Sequence, residues 1–233
     1  MWWGWFDPLY FVFLAPGILL ALWAQFRVQS AYAEASHVPS RSGVTGAEAA
    51  QEVMRAAHVP DVEIEPTPGV LTDHYVPGQK VLRLSPEVFA GRSLAAVGVA
   101  AHESGHAIQD NRHYPLLVIR NLLVPVAGFG GGVSWILLLI GFALSSLALI
   151  KIGIIAFGAT VAFQLVNLPV EYDASRRARQ ALIAGGLVTP EEDRTVRKVL
   201  SAAAWTYVAA TLTSLLTLLY FLFRAGLLGG RDD

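Results

Sequence analysis

The chain has 233 residues, of which 15% are charged and 54% hydrophobic, with a net charge of -1 and no cysteine. A soluble domain carries about 25% charged residues, so this chain is short of the polar surface it would need in water. The balanced charge gives no basic field for nucleic acid, and the absence of cysteine excludes a disulfide framework, thiolate metal ligation and thiol catalysis.

In chain order, residues 8–26 are uncharged and long enough to cross a bilayer core, predicting a first transmembrane helix. Trp2, Trp3 and Trp5 precede it. They suit an interfacial belt and not the basic leader of a secretory signal, so the segment is expected to stay as an anchor. A polar stretch, 27–115, follows. Within it Thr45 and Glu48 form a capping box for an amphipathic helix over 45–58, with Ala50, Val53, Met54 and Ala57 on its apolar face and Pro60 as its stop. Residues 62–64 read as a short strand. Residues 70–76 and 80–84 flank Pro77-Gly78-Gln79 and read as a β-hairpin. Ser85 caps a short helix opened by Pro86, and Ser93 caps a longer helix over 94–109.

Two further spans are predicted at 122–144 and 147–168, forming a hairpin that turns near Ser145-Ser146. Lys151 then sits in the first turn of the third span, its stem reaching the interface. A second polar stretch, 169–200, is helical from Glu171 to Ala184 and broken at Gly185-Gly186. Thr189, Pro190 and Glu192 form another capping box, heading a helix that leads into a fourth span at 202–223. The expected fold is a mainly α integral membrane protein. It has about four transmembrane helices and a helical polar domain carrying a small β-hairpin.

The longer helix contains His102-Glu103-Ser104-Gly105-His106, an HExxH motif. Residues four apart on an α-helix differ by about 40° after one full turn, so both imidazoles leave one face and can grip one Zn²⁺. Glu103 lies about 100° round, where a carboxylate can serve as catalytic base. Composition alone gives this motif an expectation of about 0.007 in such a chain. The flanking Val97, Val99, Ala100, Ala101, Ala107 and Ile108 predict a buried helix, in which unpartnered His and Glu side chains are costly.

Zinc needs a third protein ligand. The extension to a third histidine fails: Gln109 and Arg112 stand where it requires Gly and His, and His113 is one position off. A carboxylate from another helix gives a His₂Glu set. Glu171 is the candidate, because it follows Pro169 where the chain leaves the membrane and the hairpin returns it to the side of His106. Glu191 and Glu192 are better used in capping, and His74 in the hairpin.

The stretches Leu71-Thr72-Asp73-His74-Tyr75, Val81-Leu82-Arg83-Leu84-Ser85-Pro86-Glu87-Val88, Ala95 to Gln109 around the motif, and Pro169-Val170-Glu171-Tyr172-Asp173-Ala174-Ser175-Arg176-Arg177-Ala178 resemble the bacterial YugP-like neutral zinc metallopeptidases. The resemblance covers nearly the whole chain. It implies a zincin-like, zinc-dependent membrane peptidase acting on peptides or membrane proteins. The layout also looks like the HtpX and CAAX-protease group, in which an Asp usually follows the ligand Glu by four residues; here that position is Ser175. Ser175 shares the helix face of Glu171, whereas Asp173 lies on another.

Orientation follows from Lys and Arg. Residues 27–121 carry eight and residues 171–200 carry six, against Lys151 alone at the hairpin and Arg224 and Arg231 in the tail. Four crossings put both polar stretches on one side, which the positive-inside rule makes the cytoplasmic face of a bacterial plasma membrane. Oxyanion-donor candidates are His74, Tyr75, Arg176 and Arg179. The rival to a peptidase is a membrane adaptor or chaperone with a structural zinc site. That would require a fourth ligand, from His74, His113 or Asp173.

Overall fold

A computed structural model describes residues 7–228. The tryptophans at 2, 3 and 5 and Arg231 lie outside this range. Seven helices and three strands run in the order α1 (Pro8–Ser36), α2 (Gly46–Ala56), β1 (Glu63–Pro66), β2 (His74–Val76), β3 (Val81–Leu84), α3 (Pro86–Phe89), α4 (Leu94–Asn111), α5 (Pro115–Ala143), α6 (Leu147–Ala184) and α7 (Pro190–Arg224). Helices α1, α5, α6 and α7 are long and apolar enough to cross a membrane. Each continues beyond its apolar stretch. Helix α1 runs past Phe26 to Ser36, and α6 carries the third apolar stretch and the segment from Glu171 to Ala184 in one piece. The chain divides into two compact units.

The first unit holds the described residues up to Trp23, then Ile119–Leu168, and those from Thr206 onward. Its packed cluster is Leu138, Ile150, Ile154, Tyr220 and Phe221, with Tyr10 and Tyr220 edge to face at 5.1 Å and Trp135 and Phe221 at 5.3 Å. A Cβ on Gly153 would meet Leu138 Cγ at 2.8 Å, so small residues permit the close α5–α6 approach common between membrane helices. Asp7 accepts from the Leu9 amide at 3.0 Å and the Tyr220 hydroxyl at 2.9 Å, and pairs with Arg224 at 3.1 Å. Lys151 is exposed, one turn into α6.

The second unit holds Ala24–Val118 and Pro169–Trp205. Helix α2 starts with the capping box, Glu48 N–H donating to Thr45 Oγ1 and Thr45 N–H to Glu48 Oε2. Its apolar face, Ala49 and Val53, joins Leu94, Val97 and Ala101 of α4, Ala178 and Leu182 of α6, and Val196 and Leu200 of α7 in one core. A second cluster places Ala50 and Met54 with Leu82, Leu84, Val88, Ala100 and Ala107. The sheet order is β1-β3-β2. The hairpin pairs Tyr75 with Leu82 antiparallel. Strand β1 adds to the other side of β3 in parallel, Ile64 opposite Leu82. Ser93 caps α4 by accepting from the Ala96 amide at 3.2 Å. Ser85 occupies the N-cap of α3 but makes no side-chain cap. Its hydroxyl donates to the Asp73 carboxylate at 3.1 Å, tying the loop before β2 to the end of β3.

Candidate active site

Helix α4 runs through the core of the second unit and presents His102, Glu103 and His106. Helix α6 crosses it at Gly105, where a Cβ would meet the Ala174 carbonyl oxygen at 2.5 Å and its carbon at 3.0 Å. Only glycine allows the two backbones to come this close. The close crossing brings Glu171 to the histidines. Its Oε2 lies 3.3 Å from His102 Nε2 and 3.6 Å from His106 Nε2, and one donor atom from each residue lies within 4.8 Å of the others. The imidazoles stand edge to face with centroids 5.0 Å apart.

Side chains behind the rings set their tautomers. Gln109 Nε2 donates to the Val170 carbonyl at 2.8 Å and to Asp173 Oδ2 at 2.9 Å. Both partners are acceptors, so Gln109 must direct its oxygen the other way, to His106 Nδ1 at 3.0 Å. His106 therefore donates from Nδ1, which leaves the Nε2 lone pair aimed at Glu171. Ser175 Oγ lies 3.0 Å from His102 Nδ1, and its hydroxyl oxygen is able to accept from that nitrogen in the same way. Asp173 is in turn held by Arg176 and by Arg177 Nε at 2.5 Å.

Glu171 is 3% exposed, and its Oε2 has no hydrogen-bond partner. Burial alone would raise its pKa. Imidazoles protonated toward it would hold the carboxyl well below the usual carboxylate range; with the ring proton on Nδ1, only a cation between the groups can do so. Two imidazole nitrogens and an orphaned carboxylate oxygen meeting in a buried place form a set of acceptors without a donor. A buried polar atom of this kind is costly unless a cation sits among them. The donors match the imidazole and carboxylate set that zinc accepts.

Glu103 is outside this set. Burial, with Glu171 and Asp73 adding to it, pushes its carboxyl up to about 7, against the opposing effect of His102 and a hydrogen bond from the Tyr75 backbone amide. That amide lies on edge strand β2, so the sheet reaches α4 at Glu103. The Tyr75 hydroxyl donates to Asp110 at 2.9 Å, and Arg179 pairs with Asp193, leaving neither directed at the histidines. His74 is exposed and bonded through Nδ1 to the Thr72 carbonyl at 2.7 Å. Among the described residues the His, Asp and Glu cluster is His102, His106 and Glu171; His74, His113 and Asp173 do not join it. Glu192 serves in the α7 capping box with Thr189 and accepts from the Arg41 amide at 2.8 Å.

Residues 10–226 match the family described as "Putative neutral zinc metallopeptidase". The chain belongs to this family. It is 48% identical over 224 residues to "Putative membrane protease YugP" of Bacillus subtilis (strain 168), covering 96% of this chain and 99% of the relative. No solved structure matches it. The relative's name and the four apolar helices here together support a membrane protein.

Gln109 is the residue that reading the sequence missed as a site component. In the sequence it shows only as a residue standing where a longer zinc motif requires glycine. A fully buried glutamine three residues after a motif histidine, in a helix rich in alanine and valine, is the signal that marks it.

Proposed function

We propose that the protein is a zinc-dependent membrane metalloendopeptidase that hydrolyses peptide or membrane-protein substrates at a site facing the cytoplasm. The observation that carries this reading is the set of two imidazoles and one carboxylate with a second carboxylate, Glu103, beside it but not in it. A closed structural site would take four protein ligands; three here favour a reactive site over a structural one. His102, His106 and Glu171 would hold Zn²⁺. Bound there, the metal supplies Lewis acidity to a scissile carbonyl and to water.

The chain's own residues account for the rest. Gln109 and Ser175 fix the two rings so that their Nε2 atoms point inward. Glu103 takes a proton at its carboxylate and hands it to the departing amine. The Tyr75 amide orients that carboxylate from the sheet. The two spans between His106 and Glu171 return both residues to one side, and the positive charges of residues 27–115 and 169–200 support that side being cytoplasmic.

Glu103→Gln is expected to keep zinc and lose peptide hydrolysis by roughly 10²–10⁴-fold, since it removes a proton acceptor and no ligand. His106→Ala is expected to lose the metal. Elemental analysis and cleavage of a quenched-fluorescence peptide library by the detergent-purified protein check both. Full activity in Glu103→Gln, or unchanged zinc in His106→Ala, rejects the reading. Placement is tested by single cysteines at Ser42, Ser146 and Gly186 in a chain with no native thiol. An impermeant maleimide applied to intact cells should label Ser146→Cys alone.

A further inference from the structure

Behind the metal donors lies a recess of about 490 Å³, within the second unit. Alanines at the end of α2 and on α6 form its apolar wall, and Arg112, Arg176, Arg177 and Gln180 supply its polar groups. It is not part of the metal cleft. Arg112 sits about 120° around α4 from His106, and Arg176, Arg177 and Gln180 sit about 120–180° around α6 from Glu171.

Its charge is unbalanced. Three guanidinium groups line it, and none of its lining residues is acidic. Asp173, buried beneath, offsets one of the three by pairing with Arg176 and Arg177. Arg177 also lies over the Tyr114 ring, 5.6 Å from its centroid. Arg112 is exposed and pairs with no carboxylate among the described residues. Arginine forks match the oxygens of phosphate in geometry as well as charge, and the Gln180 amide adds a neutral donor. The recess is also close in sequence to the apolar helices. Arg112 comes three residues before the start of α5, and Arg176 eight after Leu168. Basic pockets at such positions are where phospholipid headgroups are met.

We propose that this recess is an oxyanion site that takes a phosphate group, either free phosphate or the headgroup phosphate of an anionic phospholipid. It is independent of the hydrolytic reading, since none of its residues is a metal donor or the proposed base.

The test uses the full-length, zinc-loaded protein in a neutral maltoside detergent. Inorganic phosphate and short-chain phosphatidylglycerol are titrated separately by calorimetry into wild type, Arg112→Gln, Arg112→Lys and Gln180→Ala. Lys151→Gln serves as an exposed-charge control. Binding should weaken on the order of tenfold in Arg112→Gln, the loss of one charge-assisted bond. It should be largely kept in Arg112→Lys, weakened less in Gln180→Ala, and unchanged in Lys151→Gln. Binding of both probes, each lost in Arg112→Gln, shows that the phosphate group suffices. Binding of phosphatidylglycerol alone assigns the site to lipid, and of phosphate alone to a soluble anion. Millimolar probe without binding overturns the proposal. So does binding that Arg112→Gln and Gln180→Ala both leave intact, as phosphate resting on the zinc would be. Zinc content and the unfolding temperature of each variant confirm that the fold is retained.

Discussion

Helix α6 passes through two environments, and its side chains change with them. Before Leu168 it displays Ile152, Ile155 and Leu165 on its surface, Ile155 being 75% exposed. After Pro169 it buries Val170, Glu171, Asp173, Ala174, Ala178 and Leu182. In the first part large apolar groups face outward and polar ones are few. In the second, two carboxylates are buried and each has specific surroundings. The first part needs only to be apolar and of sufficient length, as hydrocarbon surroundings demand. The second requires particular residues at particular places. A single helix thus carries a stretch that tolerates change beside one that does not.

The sharpest way to break this contrast is at the crossing. Gly105→Val should force α4 and α6 apart, because its Cβ would overlap the Ala174 carbonyl. Zinc binding should be abolished, read by elemental analysis, and the unfolding temperature should fall steeply. Next, Leu182→Ala empties a fully buried position and should cost about 2–5 kcal/mol. Ile155→Ala should cost below about 1 kcal/mol, since its side chain is exposed and lipid replaces the lost contacts. Similar losses at the two positions, in parallel denaturant titrations, would abolish the contrast. A third change acts through hydrogen bonds: Gln109→Ala should weaken zinc about 10–100-fold by freeing the His106 ring, with Glu103 untouched. Competition with a chelator measures this, and Gln109→Glu, which keeps the acceptor, should recover part of it.

The smallest effect concerns the α7 cap. Hydrogen bonds from Thr189 and Arg41 hold the Glu192 carboxyl below its usual range despite its burial. A depressed folded pKa stabilises above the unfolded value, near 4.5, and the benefit disappears as pH falls through the folded pKa. Glu192→Gln should therefore cost about 1 kcal/mol at neutral pH and progressively less below about pH 4.5. Thermal unfolding of both proteins from pH 7 to pH 3 reads the difference.

Much of this was legible in the sequence because it rests on local rules. The uncharged stretches mark the long apolar helices, since a bilayer sets one length. Thr45–Glu48 and Thr189–Glu192 mark helix starts, since a capping box needs only four residues. The histidines of HExxH share a face by helical pitch alone. What stayed hidden depends on contacts between distant segments. The parallel pairing of β1 with β3 has no signal in four residues of strand. Ser85 carries the chemistry of a cap, yet its hydroxyl goes to Asp73, twelve residues upstream. Ser175 stands four residues after Glu171 but bonds to a ring of α4. Gly105 reads as a spacer within the motif, and its requirement comes from Ala174 on another helix.

The division of the candidate metal donors between α4 and α6 has a consequence for biosynthesis. Translation delivers His102 and His106 well before Glu171, and two long apolar stretches come off the ribosome in between. Until the second of these has been made, the nascent chain carries a histidine pair and no third donor. The His102, His106 and Glu171 cluster is therefore assembled last, after both intervening helices exist, and a truncated or stalled product ending in either of them lacks the carboxylate that completes it.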